Sequence, residues 1–340
     1  MVVLLALGTV AAILASRSHP PTTPSTTTTP STTATTTAPV SGPPFRVGTL
    51  SLTLREPVGA AVRVLPTTVY YPATGPAGGA PAPGAPPQRA AGPYPLVVFS
   101  EGYDIAPQAY GALLDAWAAA GYVVAAPVYP LTDPAEPGGV NESDIVNHPA
   151  DLRYVITSIL GLSASPGGDL SGLVRADAIA VIGHSDGGDV SLATVANTCC
   201  TDPRIKAAIL LSGAELASLE GRYFAGPSTV PLLVVQGTAD TINPPACSVQ
   251  IYDAAPSPKH YLSLFGASHT GAYLPAGPAR TIVERVTVDF LNAYLKGSST
   301  ALGRMGRDGT VPGLAGFTSA PSVSARLAPL TGACPGAPPR

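Results

Sequence analysis

The sequence predicts an α/β domain in which helices flank a mostly parallel central sheet. Short continuous apolar runs recur along the chain, as expected for parallel strands buried on both faces. Segments with one apolar helical face separate most of these runs. Charged residues make up only 11% of the chain, well below the roughly 25% of an average soluble protein. This low charge excludes charge-driven disorder for most of the length.

The predicted α/β domain covers residues 45–297. Two strands with alternating apolar residues open it, one at 49–54 and one ending at 69–71. A Pro/Gly/Ala-rich loop follows over residues 73–93. The buried strands are then predicted at 96–99, 122–125, 178–182, 208–211, 232–235 and 261–265. Helices are predicted at 109–120, 149–162, 190–195 and 280–295. Residues 298–340 are expected to form a Gly/Pro-rich tail.

The N-terminal residues do not fit this domain. Residues 2–15 are apolar or small except for Thr9. That run has the length of a secretory signal's apolar region and is shorter than the roughly 20 residues of a spanning helix. No Lys or Arg precedes it and no clean cleavage site follows, so an uncleaved anchor remains an alternative. We expect residues 1–15 to be a signal peptide or anchor, and the protein to be secreted or held at the extracellular face of the cell envelope.

Residues 16–44 are predicted to be a Thr/Pro-rich disordered linker. Residues 22–37 consist almost entirely of Thr, Ser and Pro, and such a composition cannot bury a core. The N-terminal segment could therefore associate with a membrane or cell wall at a distance from the domain.

A candidate nucleophile lies between a predicted strand and a predicted helix. Gly183-His184-Ser185-Asp186-Gly187 matches G-x-S-x-G. In this context a sharp turn holds the serine hydroxyl above the carboxyl end of the sheet, and the turn needs small residues on both sides. The segment contains neither of the glycine patterns of phosphate-binding loops. The remaining alternative is a Gly-rich turn with an inert serine.

A serine nucleophile needs a general base held by a third group. We predict His269 as the base, because its loop follows the strand ending at residue 265 and reaches the carboxyl edge of the sheet. Asp240 is the predicted acid, because it follows the strand at 232–235 and lies between Ser185 and His269 in sequence. Asp253 and Glu215 are kept as reserve acids. The other four histidines lie at positions that do not suit the base. These are His19 in the N-terminal tail, His148 at the start of a helix, His184 beside the nucleophile and His260 at the start of a strand.

The oxyanion of an acyl-transfer intermediate needs two backbone N–H donors. The N–H of Asp186, directly after the nucleophile, is the first candidate. The second is expected in the loop at 100–103, and we predict the N–H of Tyr103. The side chains of Asp186 and Asp189 lie too close to Ser185 in sequence to reach around the imidazole, so we interpret them as turn or helix-start residues.

These motifs together resemble the α/β-hydrolase superfamily over roughly residues 94–296. The chain is most similar to the bacterial branch that holds cutinase-like, platelet-activating-factor acetylhydrolase-like and dienelactone-hydrolase-like esterases. The matching segments are residues 99–103, 147–152, 183–188, 237–240 and 268–269. The resemblance implies Ser185 as nucleophile, His269 as base, Asp240 as its partner, and donors from Tyr103 and Asp186.

Two departures from the resemblance affect the expected activity. Many relatives carry His or Pro where this chain has Glu101, and a carboxylate there would oppose a developing oxyanion unless it points away or is paired. Relatives that cleave aromatic polyesters usually have Met at the position of Asp186 and a Trp in the stretch at 212–215. Here the single Trp, Trp117, lies on a predicted helix face and is expected in the core. Polyester cleavage is therefore not favoured.

The predicted loops point to an open site. About twenty residues separate the strands ending near 211 and starting near 231, too few for a cap domain. We expect small-molecule or polymeric esters with short to medium acyl chains as substrates. The proposed chemistry requires no cofactor and no metal. The chain has 18 basic and 21 acidic residues, so we expect no nucleic-acid partner, and we expect a monomer.

The four cysteines allow three complete pairings. A helix of about ten residues is ~15 Å long, which would place Cys199 and Cys200 far from Cys247. A bond from Cys247 to Cys334 would attach the tail to the domain. In that case a strained bond between the adjacent Cys199 and Cys200 is possible.

The favoured function is a secreted serine esterase or lipase-like hydrolase that forms an acyl-enzyme. A polyester, cutin or phospholipid-acetyl hydrolase on the same site is an alternative. A surface-tethered binding protein that has lost activity is a second, supported by Glu101. A serine peptidase or acyltransferase on the same fold is a third.

Overall fold

The structure, a computed structural model, describes residues 44–226, 228–319 and 334. The predicted signal or anchor at 1–15 lies outside these residues, as does the predicted linker at 16–44 except for Pro44. Most of the predicted tail beyond residue 319 also lies outside them. Among the residues described, no helix combines the length and apolar character needed to cross a bilayer.

The strands of the described residues form one mixed sheet. In space they follow the order β10-β9-β8-β7-β6-β4-β5-β2-β1-β3. The strands from β4 to β9 are mutually parallel. Strand β2 pairs antiparallel with β5 and β1, β10 pairs antiparallel with β9, and the short β3 pairs parallel with β1. The bounds are β1 Arg46–Val58, β2 Ala61–Ala73, β3 Ala82–Pro83, β4 Tyr94–Ser100, β5 Val123–Pro127, β6 Val174–His184, β7 Ile205–Leu211, β8 Leu232–Gly237, β9 Lys259–Leu264 and β10 Ala315–Thr318.

Helices cover both faces of the sheet, which confirms the predicted fold class. The helices are α1 Gly111–Ala119, α2 His148–Ala164, α3 Asp186–Ala196, α4 Pro245–Ala254, α5 Pro278–Leu295 and α6 Ser299–Asp308. Helices α2, α3 and α4 pack on one face, and α1, α5 and α6 pack on the other. Strand β4 alternates between the two cores, with Val98 in one and Phe99 in the other. Trp117 is fully buried in the second core, as predicted.

The predicted domain end at residue 297 is too early. Helix α6 buries Ala301 and Met305, and β10 adds an edge strand to the sheet by pairing with β9. The Gly-rich composition of this stretch concealed both elements. Strand β10 has only four residues, and two of them are half-buried. Its apolar pattern is therefore too short to predict a strand.

The carboxyl ends of the parallel strands meet at one edge of the sheet and carry the loops of interest. No helix or strand forms in the described residues between Leu211 and Leu232, so no cap domain covers this edge from that connection. At the far end of α3, Cys199 and Cys200 are bonded to each other. Cys247 in α4 is bonded to Cys334.

Candidate active site

The turn between β6 and α3 holds Ser185 in an unusual backbone conformation. Its φ is 53° and its ψ is −123°, a region that residues other than glycine rarely occupy. A Cβ at Gly183 would clash with the carbonyl group of Gly187, and a Cβ at Gly187 would clash with the carbonyl group of Ser100. The two glycines of G-x-S-x-G are therefore required by close backbone approach, which lets the turn close tightly beneath the serine.

The three predicted side chains converge above the sheet edge. Ser185 Oγ lies 2.8 Å from His269 Nε2. On the other side of the ring, His269 Nδ1 lies 2.8 Å from Asp240 Oδ2. Because an ionised carboxylate only accepts, Nδ1 carries a proton toward Asp240 and Nε2 is free to accept from the serine hydroxyl. This is the arrangement that a serine nucleophile and its general base require.

Asp240 is held by an unusually complete set of donors. The N–H groups of Ile242 and Asn243 donate to its Oδ1 at 2.9 and 3.0 Å. Gln236 Nε2 donates to its Oδ2 at 3.1 Å, beside the bond from His269. Burial alone would raise the pKa of Asp240, but the hydrogen bonds from His269 and the backbone outweigh it and hold the pKa below its ordinary value. The group therefore stays charged and orients the imidazole.

The reserve acids occupy other positions. Glu215 accepts a hydrogen bond from Gln250, and Asp253 lies in the last turn of α4. Neither is the partner of His269. Asp186 and Asp189 lie in the first turn of α3, as predicted. Asp189 accepts from the N–H of Ala214, and burial raises the pKa of Asp186 to about 7, with the nearby charge of Glu142 adding to the effect.

The two predicted oxyanion donors come from the residue after the serine and from the loop after β4. Asp186 is the first residue of α3, where an N–H has no acceptor within the helix. In the loop after β4, the N–H of Gly102 donates to Tyr110 Oη at 3.2 Å, so this group is already used. A Cβ at Gly102 would lie 3.3 Å from the Cβ of Ser185, which shows how closely the loop approaches the nucleophile. The N–H of Tyr103 stays the predicted donor from this loop.

The carboxyl group of Glu101 is hydrogen-bonded to the backbone that follows β5. Its Oε1 accepts from the N–H of Tyr129 at 2.8 Å, and the carboxyl group is buried. Burial raises its pKa to about 8, despite the hydrogen bond from Tyr129. At neutral pH the group is therefore largely uncharged. The expected conflict between a carboxylate at this position and an oxyanion is answered by this hydrogen bond and by the raised pKa.

Three residues around the site could not be assigned a role from the sequence. Tyr110 and His184 are hydrogen-bonded to each other behind the serine. Tyr129 holds the loop after β4 through Glu101 and through a 2.8 Å bond between its hydroxyl and Ser100 Oγ. A buried tyrosine needs a partner for its hydroxyl, but the sequence does not indicate which partner each one takes.

A group of side chains near the start of α2 has the composition of a metal site. Asp144, His148 and Asp151 can bring one ligand atom each within 4.8 Å of one another. The guanidinium of Arg63 donates to both carboxylates, at 2.6–3.1 Å to Asp144 and 2.7 Å to Asp151. Arg63 therefore already supplies the positive charge that these carboxylates need, and the residues do not fit a metal ion.

Comparison with known proteins agrees with the fold. The family model described as Chlorophyllase matches residues 84–213, and the one described as Serine hydrolase (FSH1) matches residues 175–270. A solved structure of a ferulic acid esterase from Streptomyces cinnamoneus superimposes with a TM-score of 0.55. It is 22% identical, over 77% of this chain and 93% of that chain. No curated protein matches the sequence.

The first model covers the nucleophile turn and the loop after β4, and the second covers Ser185, Asp240 and His269. The two matches therefore overlap at the nucleophile and together extend over most of the parallel sheet. With the fold, they support an α/β-hydrolase of the esterase type, a serine hydrolase of the carboxylic ester class.

Proposed function

We propose that the chain is a secreted serine esterase that cleaves carboxylic esters with short to medium acyl chains through Ser185, His269 and Asp240. The observation that carries the proposal is the unbroken series of hydrogen bonds from Ser185 Oγ through His269 to Asp240, each 2.8 Å long. A hydroxyl, an imidazole and a carboxylate in this order can generate and quench an alkoxide without a cofactor.

Acylation begins when Ser185 Oγ attacks the ester carbonyl carbon while His269 Nε2 accepts the hydroxyl proton. Asp240 stabilises the imidazolium that results. The negative charge that develops on the carbonyl oxygen is bound by the N–H groups of Tyr103 and Asp186, and each such donor typically contributes about 10²–10³ in rate. The imidazolium then donates its proton to the leaving alkoxide, which departs as the alcohol.

Deacylation repeats these steps with water. His269 Nε2 accepts a proton from a water molecule as the oxygen of that molecule attacks the acyl carbon. The tetrahedral intermediate is bound by the same two N–H donors. When it collapses, the bond to Ser185 Oγ breaks, the proton returns to Oγ, and the carboxylic acid is released.

The open connection between β7 and β8 supports the proposed acyl-chain range. Without a cap domain from that segment, the described residues of the β7–β8 connection do not enclose a long acyl chain. Accessible esters with short to medium acyl groups suit such a surface site. The ferulic acid esterase with the same fold is named for an ester of a small aromatic acid, and esters of small acids are the first class to test.

The test compares hydrolysis of p-nitrophenyl acetate, butyrate and palmitate by the unaltered chain, Ser185→Ala and Ser191→Ala. Ser191 is a matched control, because it lies on α3, is fully buried and has no hydrogen-bond partner for its hydroxyl. We expect Ser185→Ala to lose at least about 10⁴-fold in kcat/KM and Ser191→Ala to keep its activity. Hydrolysis that survives in Ser185→Ala would refute the mechanism, and a preference for palmitate would refute the acyl-chain range.

Secretion is supported by residues 2–15 and by the disulfides. Bonds such as Cys247–Cys334 form and persist in oxidising compartments. We expect the protein in the culture medium or on the outer face of the envelope of cells that make it. Recovery of the reduced chain from the cytosol alone would contradict this.

A further inference from the structure

A chain of hydrogen bonds joins the loop after β4 to the loop that carries His269. The N–H of Gly102 donates to Tyr110 Oη at 3.2 Å. Tyr110 Oη lies 2.8 Å from His184 Nδ1. His184 Nε2 lies 2.9 Å from the backbone carbonyl oxygen of His269. These bonds run behind Ser185 and are separate from those that join its hydroxyl to His269 and Asp240.

The carbonyl oxygen of His269 determines the position of each proton in this series of hydrogen bonds. The carbonyl oxygen of His269 can only accept, so His184 Nε2 must carry a proton. Nδ1 of the neutral ring then has only a lone pair, so the Tyr110 hydroxyl must donate to it. The oxygen of that hydroxyl is left to accept from Gly102 N–H. A single arrangement therefore satisfies all the donors and acceptors.

The surroundings keep this arrangement permanent. Both Tyr110 and His184 are fully buried. Burial, together with the positive charge that His269 can carry, lowers the pKa of His184 to about 3. The ring thus stays neutral throughout the range in which an esterase works, and its tautomer does not change. It also contacts the rings of His269 and Tyr273, with centroids 4.7 and 4.8 Å away.

We propose that Tyr110 and His184 are positioning residues that hold the oxyanion loop and the base loop at a fixed separation across Ser185. The inference rests on the proposed esterase function. By occupying the N–H of Gly102, Tyr110 also orients the loop so that the next N–H, of Tyr103, is the one that faces the reaction. Reacting groups misplaced by about 1 Å can lose about 10²-fold in rate.

The space around Gly102 supports a tight mechanical connection. A Cβ at this glycine would lie 3.0 Å from His184 Nδ1 and 3.2 Å from Tyr110 Oη. The loop therefore rests directly on the two polar atoms. A change in either side chain would be transmitted to the backbone that carries Tyr103.

The first test is Tyr110→Phe, with Tyr122→Phe as the matched control. Tyr122 is also fully buried, and its hydroxyl lies 2.8 Å from Asn292 Oδ1, between elements that do not carry the site. Tyr110→Phe should lower kcat for p-nitrophenyl butyrate by about tenfold to a hundredfold and leave KM within about threefold. Tyr122→Phe should leave both constants unchanged. Equal kcat values in the two variants would overturn the proposal.

The second test is a double-mutant cycle with His184→Gln. Residues that act as one unit give non-additive losses, so Tyr110→Phe/His184→Gln should be no slower than the slower single variant. Losses that multiply, or that fall on KM alone, would overturn the proposal. The rate losses should also appear as the same fold-loss in affinity for phenylboronic acid, whose adduct with Ser185 resembles the tetrahedral intermediate.

A spectroscopic readout is independent of turnover. In ¹⁵N-labelled protein, the ring nitrogens of His184 should show one protonated and one unprotonated site that do not titrate between pH 5 and pH 9. Titration of this ring in that range would overturn the proposal. Absence of hydrolysis by the unaltered chain would refute the esterase function, whereas an active chain whose rate ignores Tyr110 would refute only this inference.

Discussion

Two buried carboxyl groups at the same edge of the sheet behave in opposite ways. Asp240 follows β8 and is 4% exposed, and Glu101 follows β4 and is 3% exposed. Hydrogen bonds hold the pKa of Asp240 below its ordinary value against the effect of burial. Burial raises the pKa of Glu101 to about 8. At pH 7, Asp240 is therefore charged, whereas Glu101 is largely uncharged.

The difference lies in the donors that surround each group. Asp240 receives hydrogen bonds from the backbone of Ile242 and Asn243 and from the side chains of Gln236 and His269. Glu101 receives one from Tyr129, and its Oε2 has no partner in the described structure. Burial alone therefore does not determine whether a carboxyl group is charged. The number of N–H donors around the group determines it.

The largest expected effect is a difference in kcat between substitutions of Asp240 and Glu101. Asp240→Asn should lower kcat by about 10³–10⁴-fold, because an amide cannot stabilise the imidazolium and favours the wrong tautomer of His269. Glu101→Gln, an equally conservative change, should keep kcat within about threefold at pH 7, because the residue that it replaces is already uncharged. Both rates would be measured with p-nitrophenyl butyrate. Similar losses in the two variants would show that Glu101 is charged or takes part in the chemistry.

A smaller effect is expected on stability at raised pH. The folded pKa of Glu101, about 8, lies above its ordinary value of 4.5. Between these values the folded chain holds a proton that the unfolded chain releases, so this group makes the protein less stable as pH rises through that window. Glu101→Gln removes the titration. It should match the unaltered chain at pH 4.5 and exceed its Tm by several degrees at pH 8.

The comparison for that test is the difference between the two proteins in thermal unfolding at each pH, since other groups titrate equally in both. A Tm difference that stays constant between pH 4.5 and pH 8 would show that Glu101 has an ordinary pKa in the folded chain.

The smallest effect has the opposite sign and concerns Asp240. Its folded pKa lies below the ordinary 3.8, so its ionised form stabilises the fold above that pH, and the contribution disappears as pH falls through the folded pKa. Asp240→Asn should be less stable than the unaltered chain by on the order of 1–3 kcal/mol at pH 6, with a smaller gap at pH 3. Urea unfolding at the two pH values measures this. A gap that widens at pH 3 would contradict the assignment.

The sequence was informative where chemistry is tied to strand ends. Ser185, Asp240 and His269 each follow an apolar run, and parallel strands bring such positions to one edge of a sheet whatever lies between them in sequence. The G-x-S-x-G spacing is also a local requirement, since the close approach of Gly183 and Gly187 leaves no room for a Cβ. These features could be predicted because each is marked by a short pattern in the sequence.

Other features depend on contacts that no local pattern records. Tyr110 meets His184 across 74 positions of sequence, which depends on how the start of α1 docks against the sheet. The direction of the Glu101 side chain depends on a free N–H at Tyr129, beyond the end of β5. Strand β10 was missed because it is short and Gly-containing, and it becomes a strand only because β9 offers an open edge.

The bond between Cys247 and Cys334 joins positions 87 residues apart. It ties the end of the chain to α4, the helix that begins soon after the Asp240 loop. Truncation of the protein after residue 319 would keep each helix and strand described above. It would remove Cys334, however, so Cys247 in α4 would become a free thiol and the loop between the two cysteines would no longer be closed. Losing such a link typically costs about 2–5 kcal/mol. A thiol titration of the trimmed protein after denaturation would count one reactive sulfur where the intact protein has none. The bond to Cys334 thus attaches the C-terminal part of the chain to α4, the helix that follows the Asp240 loop.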